Sequence, residues 1–216
     1  MNIKGRLIGV CIAIVFLWLN TLHFVSIERK ITYFDLLLSV LFIFIAFWSG
    51  KQYDSTKFYS EKDELTGIYN RRFLTKLWKE KLSKSNQSFL LVIDCDNFKE
   101  INDNYGHEKG DQALQIIANV LKQQTRKTDT VSRWGGDEFA VIGECKDKSN
   151  VPIIVERLEK EVEKQAKEFN LPLSISIGYS FFPTDGSDVE SLFKMADQEM
   201  YKNKLNKKNK KALLYS

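Results

Sequence analysis

A chain of 216 residues has room for one domain of ordinary size and a smaller appendage. Its net charge of +4 is mild, and a basic cluster at 202–211 reads as either a solvated tail or a phosphate-facing segment. Cys11, Cys95 and Cys145 stand alone without paired spacing, which argues against a disulfide framework or a zinc site and suits a reducing cytosol.

The appendage is the first fifty residues. Residues 7–27 form an apolar run interrupted only by small or mildly polar side chains such as Asn20, Thr21, His23 and Ser26. As a helix it reaches ~30 Å, enough to cross a bilayer core. A second run at 33–48 reaches ~25 Å. Tyr33 and Trp48 bound it, where interfacial aromatics belong. A signal peptide fits poorly, because no small-residue cleavage pattern is present and a second run follows at once. Residues 1–50 therefore read as a two-helix transmembrane hairpin. Lys4 and Arg6 before it, with Lys51, Lys57 and Lys62 after it, put both termini on the cytoplasmic side. Residues 51–61 are either a helical stalk that pairs with its twin or a plain linker.

From residue 62 to 216 the pattern alternates. Residues 72–82 have helical spacing, and 89–93 is a continuous apolar run of strand length, expected to be buried on both faces. Residues 110–124 are helical again, with Leu114, Ile117, Ala118 and Leu121 on one face. Apolar runs at 130–134 and 139–142 flank two glycines, which reads as a hairpin whose glycines supply positive φ. A charged amphipathic helix at 151–169, a strand at 173–182 and a helix at 188–201 capped by Asp188 follow. A last strand is expected at 212–215. The predicted fold is α+β, a central, mostly antiparallel sheet flanked by helices.

The chemistry gathers at two places. The hairpin tip reads Arg133-Trp134-Gly135-Gly136-Asp137-Glu138-Phe139, and a hairpin does not need two consecutive carboxylates after its turn. Adjacent acids repel unless a cation or donor lies between them. The buried run at 89–93 ends in Asp94-Cys95-Asp96-Asn97-Phe98-Lys99, and then come Ile101-Asn102-Asp103 and Gly106-His107-Glu108-Lys109-Gly110-Asp111. Polar groups past the carboxyl end of a buried strand commonly form a phosphate or metal site. If that strand pairs with the hairpin, Asp94 and Asp137 converge. Hard oxygen ligands without cysteine or histidine suit Mg²⁺ or Mn²⁺.

Over residues 61–216 the sequence resembles the GGDEF-domain diguanylate cyclases, which condense two GTP molecules into cyclic di-GMP. Besides the two segments above, the landmarks are Asp63-Glu64-Leu65-Thr66-Gly67-Ile68-Tyr69-Asn70-Arg71-Arg72, Ser174-Ile175-Ser176-Ile177-Gly178 and Ala196-Asp197-Gln198-Glu199-Met200-Tyr201-Lys202. The resemblance implies a palm-like nucleotidyl-cyclase fold and a Mg²⁺- or Mn²⁺-dependent nucleotidyltransferase.

By matching positions, Asp94, Asp137 and the backbone carbonyl of Cys95 are implied metal ligands. Asp137 or Glu138 is the implied proton acceptor, and Lys99 steadies the transition state. Asn97 and Phe98 offer backbone N–H groups to phosphates, and Lys204 and Lys208 bind them, Lys208 standing where an arginine is usual. Asn102 and Asp111 are implied to read guanine. His107 is either a substrate contact or a histidine satisfying a nearby carbonyl. Arg126 and Asp129 match the family's product-inhibition site, with Arg157 from the following helix.

One domain binds one GTP while the product joins two, so turnover calls for a C2 homodimer. The two apolar runs and their flanking charges make it an expected multi-pass protein of the bacterial inner membrane with its catalytic domain in the cytoplasm, an orientation GTP chemistry also requires; no nucleic-acid partner is expected. The rival reading is a catalytically inactive receptor that binds cyclic di-GMP through Arg126 and Asp129.

Overall fold

A computed structural model of the chain describes residues 4–27, 33–80 and 87–214. These fall into two compact units, Met1–Glu61 and Lys62–Ser216.

The first unit is an antiparallel pair, α1 (Lys4–Ile27) and α2 (Tyr33–Glu61). Residues 51–61 continue α2 as helix. Small residues one turn apart let the helices touch. A Cβ on Gly5 would stand 2.6 Å from the Gly50 carbonyl, and one on Gly9 would collide with the Ala46 carbonyl. Ala13 continues the same stripe and is buried. Asp54 is buried at the end of this seam and accepts the Gly5 N–H at 2.7 Å. Further along, Phe16 stacks on Phe42 with ring centroids 4.0 Å apart. Outside the seam both helices expose leucine, isoleucine and aromatic side chains. By length and composition, the stretch Asp35–Asp54 is long and apolar enough to cross a membrane. Among the described residues, the apolar part of α1 is Leu7–Leu22, and α2 alone meets that criterion there.

The second unit carries a five-stranded sheet in the order β1-β3-β4-β2-β5. Its strands are β1 (Tyr69–Asn70), β2 (Ser88–Cys95), β3 (Thr130–Arg133), β4 (Glu138–Glu144) and β5 (Ile175–Phe182). Only β1 and β3 pair in parallel, so the expected mostly antiparallel sheet is present. The helices are α3 (Arg71–Glu80), α4 (Phe98–Tyr105), α5 (His107–Gln124), α6 (Asn150–Glu168) and α7 (Val189–Leu214).

Strand β2 shows why an unbroken apolar run is needed. Phe89, Leu91, Ile93 and Cys95 pack into one layer with Leu114 and Ile117 of α5 and Leu158 and Val162 of α6. Leu90 and Val92 face the other way, onto Leu74 and Trp78 of α3 and Leu192, Ala196 and Met200 of α7. Alternate side chains point to opposite faces, and both faces are covered.

Two expectations fail here. The last strand is absent, because α7 runs on through Ala212 to Leu214. Alanine, leucine and lysine are strong helix formers, and no glycine or proline interrupts 189–214. The glycines of positive φ are Gly67 and Gly106, not Gly135 and Gly136. Gly106, at φ 84°, separates α4 from α5, and α5 begins at His107 rather than at the expected Gly110.

Candidate active site

Strand parity puts two acids on one face. Leu90 and Val92 of β2, like Ala140 and Ile142 of β4, pack toward α3 and α7. Residues two apart share a face, so Asp94 and Glu138 point that way too, and the two are direct cross-strand partners. The Cys95 N–H donates to the Asp137 carbonyl at 3.1 Å, which brings the third acid to the same end of the sheet.

The carboxyls respond to this crowding. Burial raises Asp94 above its ordinary value, and Asp137 and Asp96 add to that, while the Lys204 ammonium pulls the other way. Burial also raises Glu138, followed by Asp94, Asp137 and Asp197, with Arg71 opposing. The Cys95 thiol is driven upward by burial and then by the three aspartates, so it stays protonated. Its side chain packs into the opposite layer with Leu91 and Ile93, which leaves the backbone oxygen as the group to offer a ligand. Lys204 is expected on phosphates; in the structure its Nζ lies 2.5 Å from Asp94 Oδ1. Burial works against its charge, yet the bond and charge of Asp94 hold its pKa above the usual lysine value. Among the described residues, no three His, Cys, Asp or Glu side chains are grouped to hold a metal ion by themselves.

Sequence reasoning gives Asp96 no role. It is buried at 8% exposure and accepts from Ser174 Oγ at 2.9 Å and Ser176 Oγ at 2.7 Å, while its N–H donates to the Ser174 carbonyl. Asp96 thus ties the turn after β2 to the start of β5. The available signal is the alternation of serines with isoleucines at 174–177, since a buried hydroxyl needs a partner.

The turn itself has Asn97 at φ 56°, a conformation asparagine tolerates, and it opens α4. Phe98 and Lys99 begin that helix, with Lys99 exposed. Asn102 packs so closely on Gly110 of α5 that a Cβ there would strike its Oδ1. That oxygen is buried without a hydrogen-bond partner. Asp111 follows Gly110 and is exposed, as is His107 at the first position of α5.

The loop from Trp134 to Asp137 is held by polar bonds. Trp134 and Gly135 both donate N–H groups to the Glu138 carbonyl, at 2.8 and 3.2 Å. Arg133 donates from Nε and Nη2 to the Gly136 carbonyl, at 3.0 and 2.6 Å. Its Nη1 reaches the Asp63 carboxylate. A Cβ on Gly135 would sit 2.8 Å from Glu138 Oε2, so a side chain there would displace the end of that glutamate.

Arg126, Asp129 and Arg157 line one cavity of about 320 Å³. The Arg126 N–H donates to Asp129 Oδ2 at 3.0 Å, and Arg157 Nη2 donates to the Gln124 carbonyl at 2.7 Å. Burial raises the Asp129 carboxyl, against the Arg126 bond and charge. A second cavity of about 600 Å³ also borders Arg126 and reaches Phe89, Ile142 and Glu144. Those residues lie toward the end of β2 and β4 remote from Asp94, ~13–20 Å away along the strands. The side chain of Lys208 lies outside the described residues.

Comparison with known proteins identifies the family. DgcJ of Escherichia coli K12, a probable diguanylate cyclase, is 30% identical over 200 residues, which cover 91% of this chain and 40% of that protein. Diguanylate cyclase DosC of the same strain is 35% identical over 156 residues, covering 68% of this chain and 34% of DosC. This chain therefore spans well under half the length of either relative. The coiled coil and GGDEF domain of DgcB from Caulobacter crescentus, solved in complex with c-di-GMP, superposes with a TM-score of 0.63 at 25% identity. That match covers 72% of this chain and 86% of the other. Residues 60–210 match the family described as diguanylate cyclase, GGDEF domain, and with the three acids gathered at one end of the sheet, the chain belongs to the GGDEF family.

Proposed function

We propose that this protein is a diguanylate cyclase, which condenses two GTP molecules into cyclic di-GMP and two pyrophosphates. The observation that carries the reading is the cross-strand pairing of Asp94 with Glu138, together with the Cys95–Asp137 backbone bond beside it. Asp94, Asp96 and Asp137 lie near Lys204, and Glu138 lies beside Asp94 and Asp137 with Arg71 opposing. Mg²⁺ is commonly held by one or two carboxylates plus substrate phosphates rather than by a cage of side chains. The donors fit that habit: Asp94, Asp137 and the Cys95 carbonyl supply oxygen. Bound there, Mg²⁺ or Mn²⁺ would offset charge on the triphosphate and the attacking oxygen.

In this reading the backbone N–H groups of Asn97 and Phe98 and the ammonium of Lys99 hold phosphates at the opening of α4. Lys204 and Lys208 do so from α7. Asn102 and Asp111 read guanine, His107 lies at the same rim, and the unpartnered Asn102 oxygen suits an N–H donor of the base. A ribose 3′-oxygen forms a bond to the α-phosphorus as the bond to the β-phosphate oxygen breaks. Its proton passes to Glu138, whose raised pKa makes it the better acceptor than a metal-bound Asp137.

Both attacks require a second nucleotide, so the working form is a homodimer. The Arg126, Asp129 and Arg157 cavity suits product binding, because guanidinium groups pair with guanine O6 and N7. Asp129 stands against Gly143, five residues along β4 from Glu138 and so ~17 Å from the acids along the strand, which suits an inhibitory site rather than a substrate site. The apolar first unit supports attachment to a membrane through α2, with the catalytic unit in the cytoplasm.

The test is to incubate the full-length chain with GTP and Mg²⁺ and identify the product by mass, with Asp137→Ala as control. Cyclic di-GMP from wild type only supports the cyclase. Binding of cyclic di-GMP with no release of pyrophosphate overturns it in favour of an inactive receptor.

A further inference from the structure

Strand β5 pairs with β2 on one side only, so the backbone groups on its other side need partners. Helix α7 supplies them once per turn. The Glu199 carboxylate accepts the Tyr179 N–H at 2.8 Å. Asn203 Nδ2 donates to the Ile177 carbonyl at 3.0 Å, and Lys207 Nζ donates to the Ile175 carbonyl at 2.6 Å. Four helical residues rise ~6 Å and two strand residues ~6.6 Å, so helix and strand stay in step while running in opposite directions. Gly178 permits the approach, because a Cβ there would collide with the Ala196 carbonyl and the Met200 nitrogen.

The apolar part of this seam stops early. Among the described residues, the buried side chains of α7 are Val189, Leu192, Ala196 and Met200, and Leu205 beyond them is 42% exposed. Over residues 201–207 the helix is therefore held by polar bonds. Lys207 carries a second one, to Glu159 Oε1 of α6 at 2.5 Å. Lys204 lies between Asn203 and Lys207, with its ammonium on Asp94. A small rotation or slip of this last stretch would carry that ammonium away from the acids.

We propose that Asn203 and Lys207 are positioning residues: their bonds to the Ile177 and Ile175 carbonyls clamp α7 along β5 and thereby aim Lys204 at the acidic end of the site. Neither side chain touches the reacting atoms; both act through Lys204. This rests on the cyclase reading above, in which Lys204 binds the triphosphate.

The experiment is a double-mutant cycle in the full-length chain, with Lys207→Met, Lys204→Met and the pair compared by GTP turnover. Lys207→Met is expected to raise the KM for GTP about tenfold while kcat changes by less than about threefold. In the Lys204→Met background the same change should add less than about twofold to KM. Lys207→Arg, which retains a donor for both partners, should restore KM to within about twofold of wild type. Asn203→Leu should repeat the KM effect. Multiplicative effects in the cycle would overturn the proposal, as would a Lys207→Met protein that merely loses active fraction at unchanged KM. If wild type makes no cyclic dinucleotide, the cyclase reading fails; the same cycle is then read as GTP affinity by titration, where non-additivity sustains the clamp and additivity sinks it.

Discussion

Arg133 and Asp63 lie 70 residues apart and meet as an ion pair, with Arg133 Nη1 standing 3.1 and 3.2 Å from the two carboxylate oxygens. The rest of the guanidinium holds the Gly136 carbonyl. Asp63 is fixed in turn by the N–H and hydroxyl of Thr66, at 2.9 and 2.6 Å. Two motifs separated in sequence thus form one brace, which sets the loop that delivers Asp137.

Arg133→Met should release that brace. Charge-assisted hydrogen bonds to a half-buried partner are each worth about 1–3 kcal/mol, so a loss of stability in that range is expected in thermal unfolding. GTP turnover should fall at least about tenfold, because a shift of roughly 1 Å in a catalytic carboxylate is costly. The conservative change Arg133→Lys should lose turnover as well, since one ammonium cannot serve the planar fork's two targets; unchanged turnover in either variant would contradict the brace.

The same pair predicts a pH dependence. Burial pushes the Asp63 carboxyl upward, but the bonds from Thr66 and Arg133 outweigh it and leave the carboxyl below its ordinary value of 3.8. As pH falls, the unfolded chain takes up this proton before the folded one does. The stabilisation is therefore complete above pH 3.8 and is lost as pH drops through the folded value. Asp63→Asn should be less stable than wild type near neutrality, and urea unfolding at decreasing pH should show the gap closing.

Asp94→Asn tests the acidic end directly. It removes a carboxylate that the proposed metal needs and leaves Lys204 without its charged partner. Turnover should drop about 10²-fold or more with the fold retained by circular dichroism. A variant within a few-fold of wild type would mean that the reaction does not use this carboxylate.

Gly143→Ala reaches the proposed product site without changing any residue assigned to it. A Cβ at this position would stand 2.8 Å from Phe89 Cε1 and would collide with Asp129 Oδ1. The carboxylate must move. Inhibition by added cyclic di-GMP should weaken at least about tenfold while initial turnover at low product stays within about twofold, both read from pyrophosphate release. Unaltered inhibition would remove Asp129 from that role.

Much of this is legible in the sequence because it depends on burial. The run at 89–93 fits a strand covered on both faces, and its pairing with β4 brings the acids together. What escapes is set by groups the local pattern does not display. Strand β1 is two residues long, too short for any periodicity. The hairpin glycines suggest a conformational role, whereas Gly135 borders the end of the Glu138 side chain and Gly136 offers its carbonyl to Arg133. The basic stretch after Lys202 resembles a tail, yet Asn203 and Lys207 bond to a strand nearly thirty residues earlier. Such contacts follow from topology, which a linear pattern reveals only where apolar spacing does.

The covered border of β5 also bears on how copies of this protein can assemble. At the opposite border, β1 offers two residues and is already bridged by Lys62 to Tyr69. Neither border leaves a ladder for another chain to zip onto. Partners would therefore meet through helical surfaces or loops, so the proposed dimer could separate and re-form without unpicking backbone bonds.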